Sequence, residues 1–127
     1  MKKQILHFGL AGPTQDSQAT TGMTKDSIES QVKSGAQKAR DTGLYDVQLT
    51  FIEPETFATS LGELRKELET GKWDALVIGG GLRMGVPLTP MFEQVVNTSR
   101  EAAPRTKVLF QMAPGDIDVT VKRGFGE

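Results

Sequence analysis

Cysteine is absent from the 127 residues, and histidine occurs once, at His7. Without cysteine there is no disulfide framework, no thiolate zinc site and no thiol nucleophile. With a single histidine the usual zinc ligand sets cannot be assembled either, and no metal site is expected. No block of lysine or arginine stands out, and the formal net charge is −1, which argues against nucleic acid as a partner. No apolar run reaches membrane-spanning length, so no membrane partner is expected. The opening MKKQILHFGLAG has the outline of a signal peptide, two lysines followed by an apolar run. The run is too short and is interrupted by His7, so it reads as a buried first strand. These absences leave a soluble cytoplasmic protein as the expectation. A chain of this length makes one domain with one core.

What the sequence does have is the stretch Trp73 to Gly85, WDALVIGGGLRMG. Ala75 to Ile78 is a short continuous apolar run, as in a strand buried between two helical layers. Gly79, Gly80 and Gly81 follow, then Arg83. Glycines at a strand's exit let backbone approach a ligand closely, and open α/β sheets bind ligands beyond the carboxyl ends of their strands.

The other segments arrange themselves around that strand. Gln4 to Leu10 is strand one, ending in Gly9 and Gly12-Pro13, and a polar loop follows from Pro13 to Lys25. Asp26, with Glu29 as capping-box partner, starts helix one, whose apolar face is Ile28, Val32, Ala36 and Ala39. Gly43 ends it. Tyr45 to Ile52 alternates at first like an edge strand and stops at Glu53-Pro54. Helix two carries Phe57, Leu61, Leu64 and Leu68. Gly62 interrupts this pattern, making Ser60 with Glu63 an alternative start, and Gly71 closes the helix. Thr89-Pro90 opens helix three, which runs through Phe92, Val95 and Val96 until Pro104 stops it. Val108 to Met112 is strand four. The tail from Ile117 reads as strand or helix, with helix favoured because Asp116 can cap it.

Strands alternating with helices predict a parallel sheet with right-handed crossovers, a single three-layer α/β/α domain. The most economical strand order is 2-1-3-4, a half-Rossmann or flavodoxin-like arrangement. It puts the topological switch point between strands one and three. The two most glycine-rich connections, Leu10 to Lys25 and Gly79 to Pro87, then face each other there.

Gly79-Gly80-Gly81-Leu82-Arg83 offers backbone N–H groups and a guanidinium for an anion. The plainer alternative is a positive-φ turn with Arg83 paired to a carboxylate. Thr20-Thr21-Gly22-Met23-Thr24 stands before helix one, where free N–H groups favour negative charge. A plain helix cap is the favoured account of it. Glu53 sits where an acidic residue meets ribose hydroxyls in nucleotide sites, or is merely a solvated strand end. Asp116 and Asp118 read as a carboxylate pair for acid–base work or Mg²⁺, while a helix cap explains Asp116 more cheaply. His7 reads as a packed core residue in preference to a base. Met84, Val86, Leu88, Met91 and Phe92 form an apolar cluster that is core, lid or dimer surface.

Thr20 to Thr24 resembles the S/T-x-T-G-x-T phosphate loop of flavodoxin-like proteins, with Thr21, Gly22 and Thr24 matching. Ala19 departs from the pattern, and about ten extra residues separate the motif from its strand. WDALVIGGGLRMG is similar to the third strand and loop of flavodoxin-like oxidases. That resemblance implies FMN, although only Trp73 and Tyr45 are large polar aromatics and neither ends a strand. Over a longer span, Asp26 to Arg123, the sequence resembles a family of short hypothetical α/β proteins from bacteria and fungi. WDALVIGGGLR, FEQVVNTSREAAP and the strand before PGD carry that likeness, which implies a stand-alone α/β domain and no catalytic residue.

Two functions follow as expectations. The first is binding of a small anionic ligand (a nucleotide, flavin or phosphorylated metabolite) at the switch point, by Gly9, Thr21, Gly22, Thr24, Gly79, Gly80, Gly81, Arg83, Glu53 and Asp116. If catalysis occurs there, Arg83 is the electrostatic stabiliser and Asp116 or Glu53 the proton carrier. The rival is a non-catalytic protein that uses the apolar cluster to form a homodimer or hold a partner.

Overall fold

In a computed structural model of the chain, residues 1–12 and 23–127 are described. The strands are β1 Lys3–Leu10, β2 Tyr45–Ile52, β3 Ala75–Ile78 and β4 Lys107–Phe110. They form one sheet in the order β2-β1-β3-β4, every neighbouring pair parallel. The helices are α1 Lys25–Asp41, α2 Phe57–Glu69, α3 Gly80–Met84, α4 Thr89–Ala102 and α5 Ile117–Phe125. The expected fold class and strand order are therefore present, a flavodoxin-like or Rossmann-like α/β sheet flanked by helices.

Alternation along β1 divides the core in two. Leu6, Phe8 and Leu10 pack with Leu76, Ile78 and residues of α2 and α4 on one face. Ile5 packs with Val77, with Val32, Ala36 and Ala39 of α1, and with Ile117 and Val121 of α5 on the other. All four residues of β3 are fully buried, the burden expected of a strand covered on both sides. No described helix is long and apolar enough to cross a membrane.

Several local expectations change. Thr24, not Asp26, caps α1: its Oγ1 accepts the Ser27 amide at 3.1 Å. Helix α2 runs through Gly62 without a break, because Phe57, Leu64 and Leu68 on its buried face hold it to the sheet. Thr89 lies inside α4, entered from a 3₁₀ turn over Val86–Leu88, and its hydroxyl donates to the Val86 carbonyl. The tail is helical, with Ile117 and Val121 both buried one turn apart.

The glycines of β3's exit also differ from the turn alternative. Positive φ occurs at Gly43, Gly71 and Gly126, each just past a helix, while Gly79 has φ −64° and ψ 147°. Gly79 is extended backbone, and Gly80 to Met84 is one turn of helix anchored by the fully buried Leu82. These glycines are required by close packing, not by backbone sign.

Candidate functional site

The parallel register sets His7 beside Val77, and Val77 beside Leu109. Two residues further on, the same face carries Phe51 on β2, Gly9 on β1, Gly79 after β3 and Gln111 after β4. The two central members of this row have no side chain. A Cβ at Gly79 would lie 3.1 Å from the Gly9 Cα, and one at Gly9 only 2.9 Å from His7 Nε2. The sheet is thus hollowed at its carboxyl edge, between β1 and β3, and the side chains of His7 and Gln111 converge into the space left.

Above that floor is a cavity of about 330 Å³, within the range of small-molecule sites. Met23, Ile28 and Val32 close it on the α1 side, Met84 on the α3 side, and Met112, Ala113 and Pro114 on the β4 side. Gly80 and Gly81 admit no side chain either. A Cβ would sit 3.1 Å from the Met84 methyl at Gly80, and 3.2 Å from Leu10 Cδ1 at Gly81.

Among the described residues, the polar side chains lining this cavity are neutral. His7 and Gln111 are each 1% exposed. The Gln111 amide donates to the carbonyls of Ala113 and Pro114, both at 3.3 Å, and its side chain also interacts with the His7 imidazole. His7 meets Phe51 edge to face at 5.6 Å. Burial lowers its pKa to about 4, outweighing the Gln111 side chain and Thr50 backbone, which favour the proton. At pH 7 it is therefore an uncharged imidazole. Its Nδ1 is buried without a hydrogen-bond partner, the one such side-chain atom among the described residues. An unpaired buried polar atom costs about 1–3 kcal/mol, so this is where the fold tolerates a local penalty.

Of the expected site residues, Gly9, Gly79, Gly80 and Gly81 line the cavity. Thr24 is the α1 cap, and Thr21 and Gly22 lie outside the described residues. Arg83 does not line it. Its Nη2 donates to the Gln111 carbonyl at 3.3 Å, its guanidinium rests 5.9 Å from the Phe110 ring, and it pairs with no carboxylate among the described residues. Glu53 pairs with Lys25 at 3.7 Å, both side chains more than half exposed. Asp116 accepts the Met112 and Ala113 amides at 3.0 and 3.1 Å and the Thr120 hydroxyl at 3.3 Å, so it shapes the turn that forms one cavity wall. Of the apolar cluster, Leu88, Met91 and Phe92 pack on the core, while Met84 and Val86 are exposed.

His7 and Gln111 were not among the expected ligand contacts. The spacing of His7 to Gly9 was a legible signal, since i and i+2 share a face of a strand. A glutamine ending an apolar strand was another. A more open hollow of about 550 Å³ lies at the opposite sheet edge, beside Trp73 and Phe125. Several of its polar groups are already engaged: the Trp73 indole donates to Glu67, Thr106 to the Trp73 carbonyl, and Lys107 to the Gly124 carbonyl. No cluster of three His, Cys, Asp or Glu suited to a metal occurs among the described residues. In comparisons with known proteins, no family model, curated protein or solved structure matches this chain.

Proposed function

We propose that this protein binds a small organic molecule in the cavity over the β1–β3 switch point. The observation that carries this reading is the convergence of two buried polar side chains, His7 and Gln111, beside the bare backbone of Gly9 and Gly79 in the cavity lining. Core packing alone fills such a space with apolar side chains; here it is open and ends on hydrogen-bonding groups. The wall suits the ring portion of the ligands anticipated from sequence, FMN or another nucleotide, better than their phosphates, because among the described residues no lysine or arginine lines it.

The test is a fragment screen on the isotopically labelled protein. Binding should shift the amides of Gly9, Gly79, Gly80 and Gly81 together, and a ligand at 100 times its Kd should stabilise the fold by about 2.7 kcal/mol. Failure of every fragment to move those amides, or shifts mapping to another face, would overturn the proposal.

A second reading is self-association through the cavity's rim. Met84, Val86 and Met112 are 60, 82 and 61% exposed, which is unusual company for large apolar side chains. Sedimentation of the wild type against Val86→Glu tests it: an unaltered monomer in both removes this reading.

A further inference from the structure

Resting on the binding reading above, we infer that the occupant is an uncharged, flat, largely apolar molecule recognised along one hydrogen-bonding edge by His7 and Gln111. Charge is decided by the wall. No lysine, arginine, aspartate or glutamate lines the cavity among the described residues. Arg83 is turned to the Gln111 carbonyl and the Phe110 ring, and Lys25 to Glu53. An anion here would lose its hydration with only neutral partners to replace it, which costs far more than desolvating a neutral ring. A cation fares no better among the described residues, since neither His7 nor Gln111 carries a negative charge.

Shape follows from the floor and the rim. Gly9, Gly79, Gly80 and Gly81 line the cavity with backbone and no side chain of their own, so a thin molecule can come close to the sheet edge. Facing them are Met23, Met84 and Met112. Methionine side chains are polarisable, adapt to irregular outlines and make favourable sulfur contacts with aromatic rings. Met84 and Met112 are exposed at the mouth, so the apolar rim is solvated until something covers it. The hydrogen-bonding edge follows from His7 and Gln111. The imidazole is neutral, so it has one donor and one acceptor nitrogen, its Nδ1 has no partner, and the Gln111 side chain lies against it. A hydroxyl or ring N–H at the ligand's edge satisfies that pair.

Three matched probes test this by titration at pH 7: 2-naphthol, naphthalene and naphthalene-2-sulfonate, which share a ring and differ in edge and charge. The expected result is 2-naphthol binding several-fold tighter than naphthalene and at least tenfold tighter than the sulfonate. In His7→Phe the advantage of 2-naphthol over naphthalene should fall to within twofold. Met84→Lys, a change at an exposed rim position that leaves the core intact, should raise affinity for the sulfonate at least fivefold. Sulfonate binding as tight as that of 2-naphthol in the wild type would overturn the uncharged ligand while leaving the cavity reading standing. Equal 2-naphthol affinity in wild type and in the cavity-filling variant Ala113→Trp would overturn the cavity reading itself. Absence of binding by all three probes overturns the ligand class.

Discussion

Acidification should destabilise this protein through one side chain, and His7 is the only histidine that could be responsible. In the unfolded chain it takes a proton at its ordinary 6.5, whereas burial holds it near 4 in the fold. Between those values the unfolded state carries the extra proton, so stability is full above pH 6.5 and falls as pH drops. Below about 4 both states are protonated and the loss stops growing. At about 1.4 kcal/mol per pKa unit, the depression amounts to about 2 kcal/mol lost by pH 5 and about 3 kcal/mol by pH 4. Against a typical total of about 5–15 kcal/mol, that is a large share from one imidazole. Two measurements check it. The single histidine Cε1–H resonance reports its titration in the native protein without assignment ambiguity. Urea unfolding of wild type and His7→Phe from pH 7 to pH 4 reports the linkage, since subtracting the two curves cancels whatever the carboxylates contribute. A native midpoint near 6.5, or parallel stability curves for the two proteins, would refute the reasoning.

Two glycines inside helices should respond to alanine with opposite sign. At Gly62 the Cβ meets nothing within 4 Å, so Gly62→Ala should stabilise by about 1 kcal/mol through helix propensity. At Gly35 the Cβ would lie 2.8 Å from the Gly115 carbonyl oxygen, and backbone cannot yield cheaply. Gly35→Ala should therefore cost about 1–3 kcal/mol; equal melting shifts for the two would contradict this. Asp116→Ala removes the acceptor of two amides and should cost about 1–2 kcal/mol. It should also perturb the Met112 to Pro114 wall, read as shifted amides there in a spectrum that is otherwise unchanged. Tyr45 is buried and its hydroxyl donates to Glu127 Oε1 at 2.9 Å. Burial, and then that carboxylate, push its pKa from 10 up to about 12. Its contribution is intact below pH 10 and lost as pH rises from 10 to 12. Tyr45→Phe should abolish that alkaline loss at a cost of about 1 kcal/mol at pH 7, and an unchanged alkaline limb in the variant would sink this account.

Element order and sheet topology were legible because burial is periodic. The apolar run of β3, the alternation of β2 and the 3.6-residue spacing in α1 each record how many faces of that element meet protein. From that order the 2-1-3-4 sheet follows, and with it a switch point between β1 and β3. Boundaries were less legible. Asp26 and Thr24 both suit a cap, and only the local backbone selects Thr24. Gly62 reads as a helix breaker in sequence, yet Phe57, Leu64 and Leu68 hold the helix through it by burial, which outweighs a propensity penalty of about 1 kcal/mol.

By itself, then, the sequence determined a four-stranded parallel α/β layer in the order 2-1-3-4, with the switch point between β1 and β3. Tertiary structure alone decided which side chains reach that switch point. Periodicity says whether a residue faces its own element's core, but not which neighbour's atoms are within reach once elements pack. Arg83 follows the glycines in sequence, yet its long side chain finds Phe110 and the Gln111 carbonyl outside the cavity. His7 and Gln111 lie 104 positions apart in sequence, and they converge because parallel pairing through β3 puts Gly9 and Gly79 between them with nothing in the way.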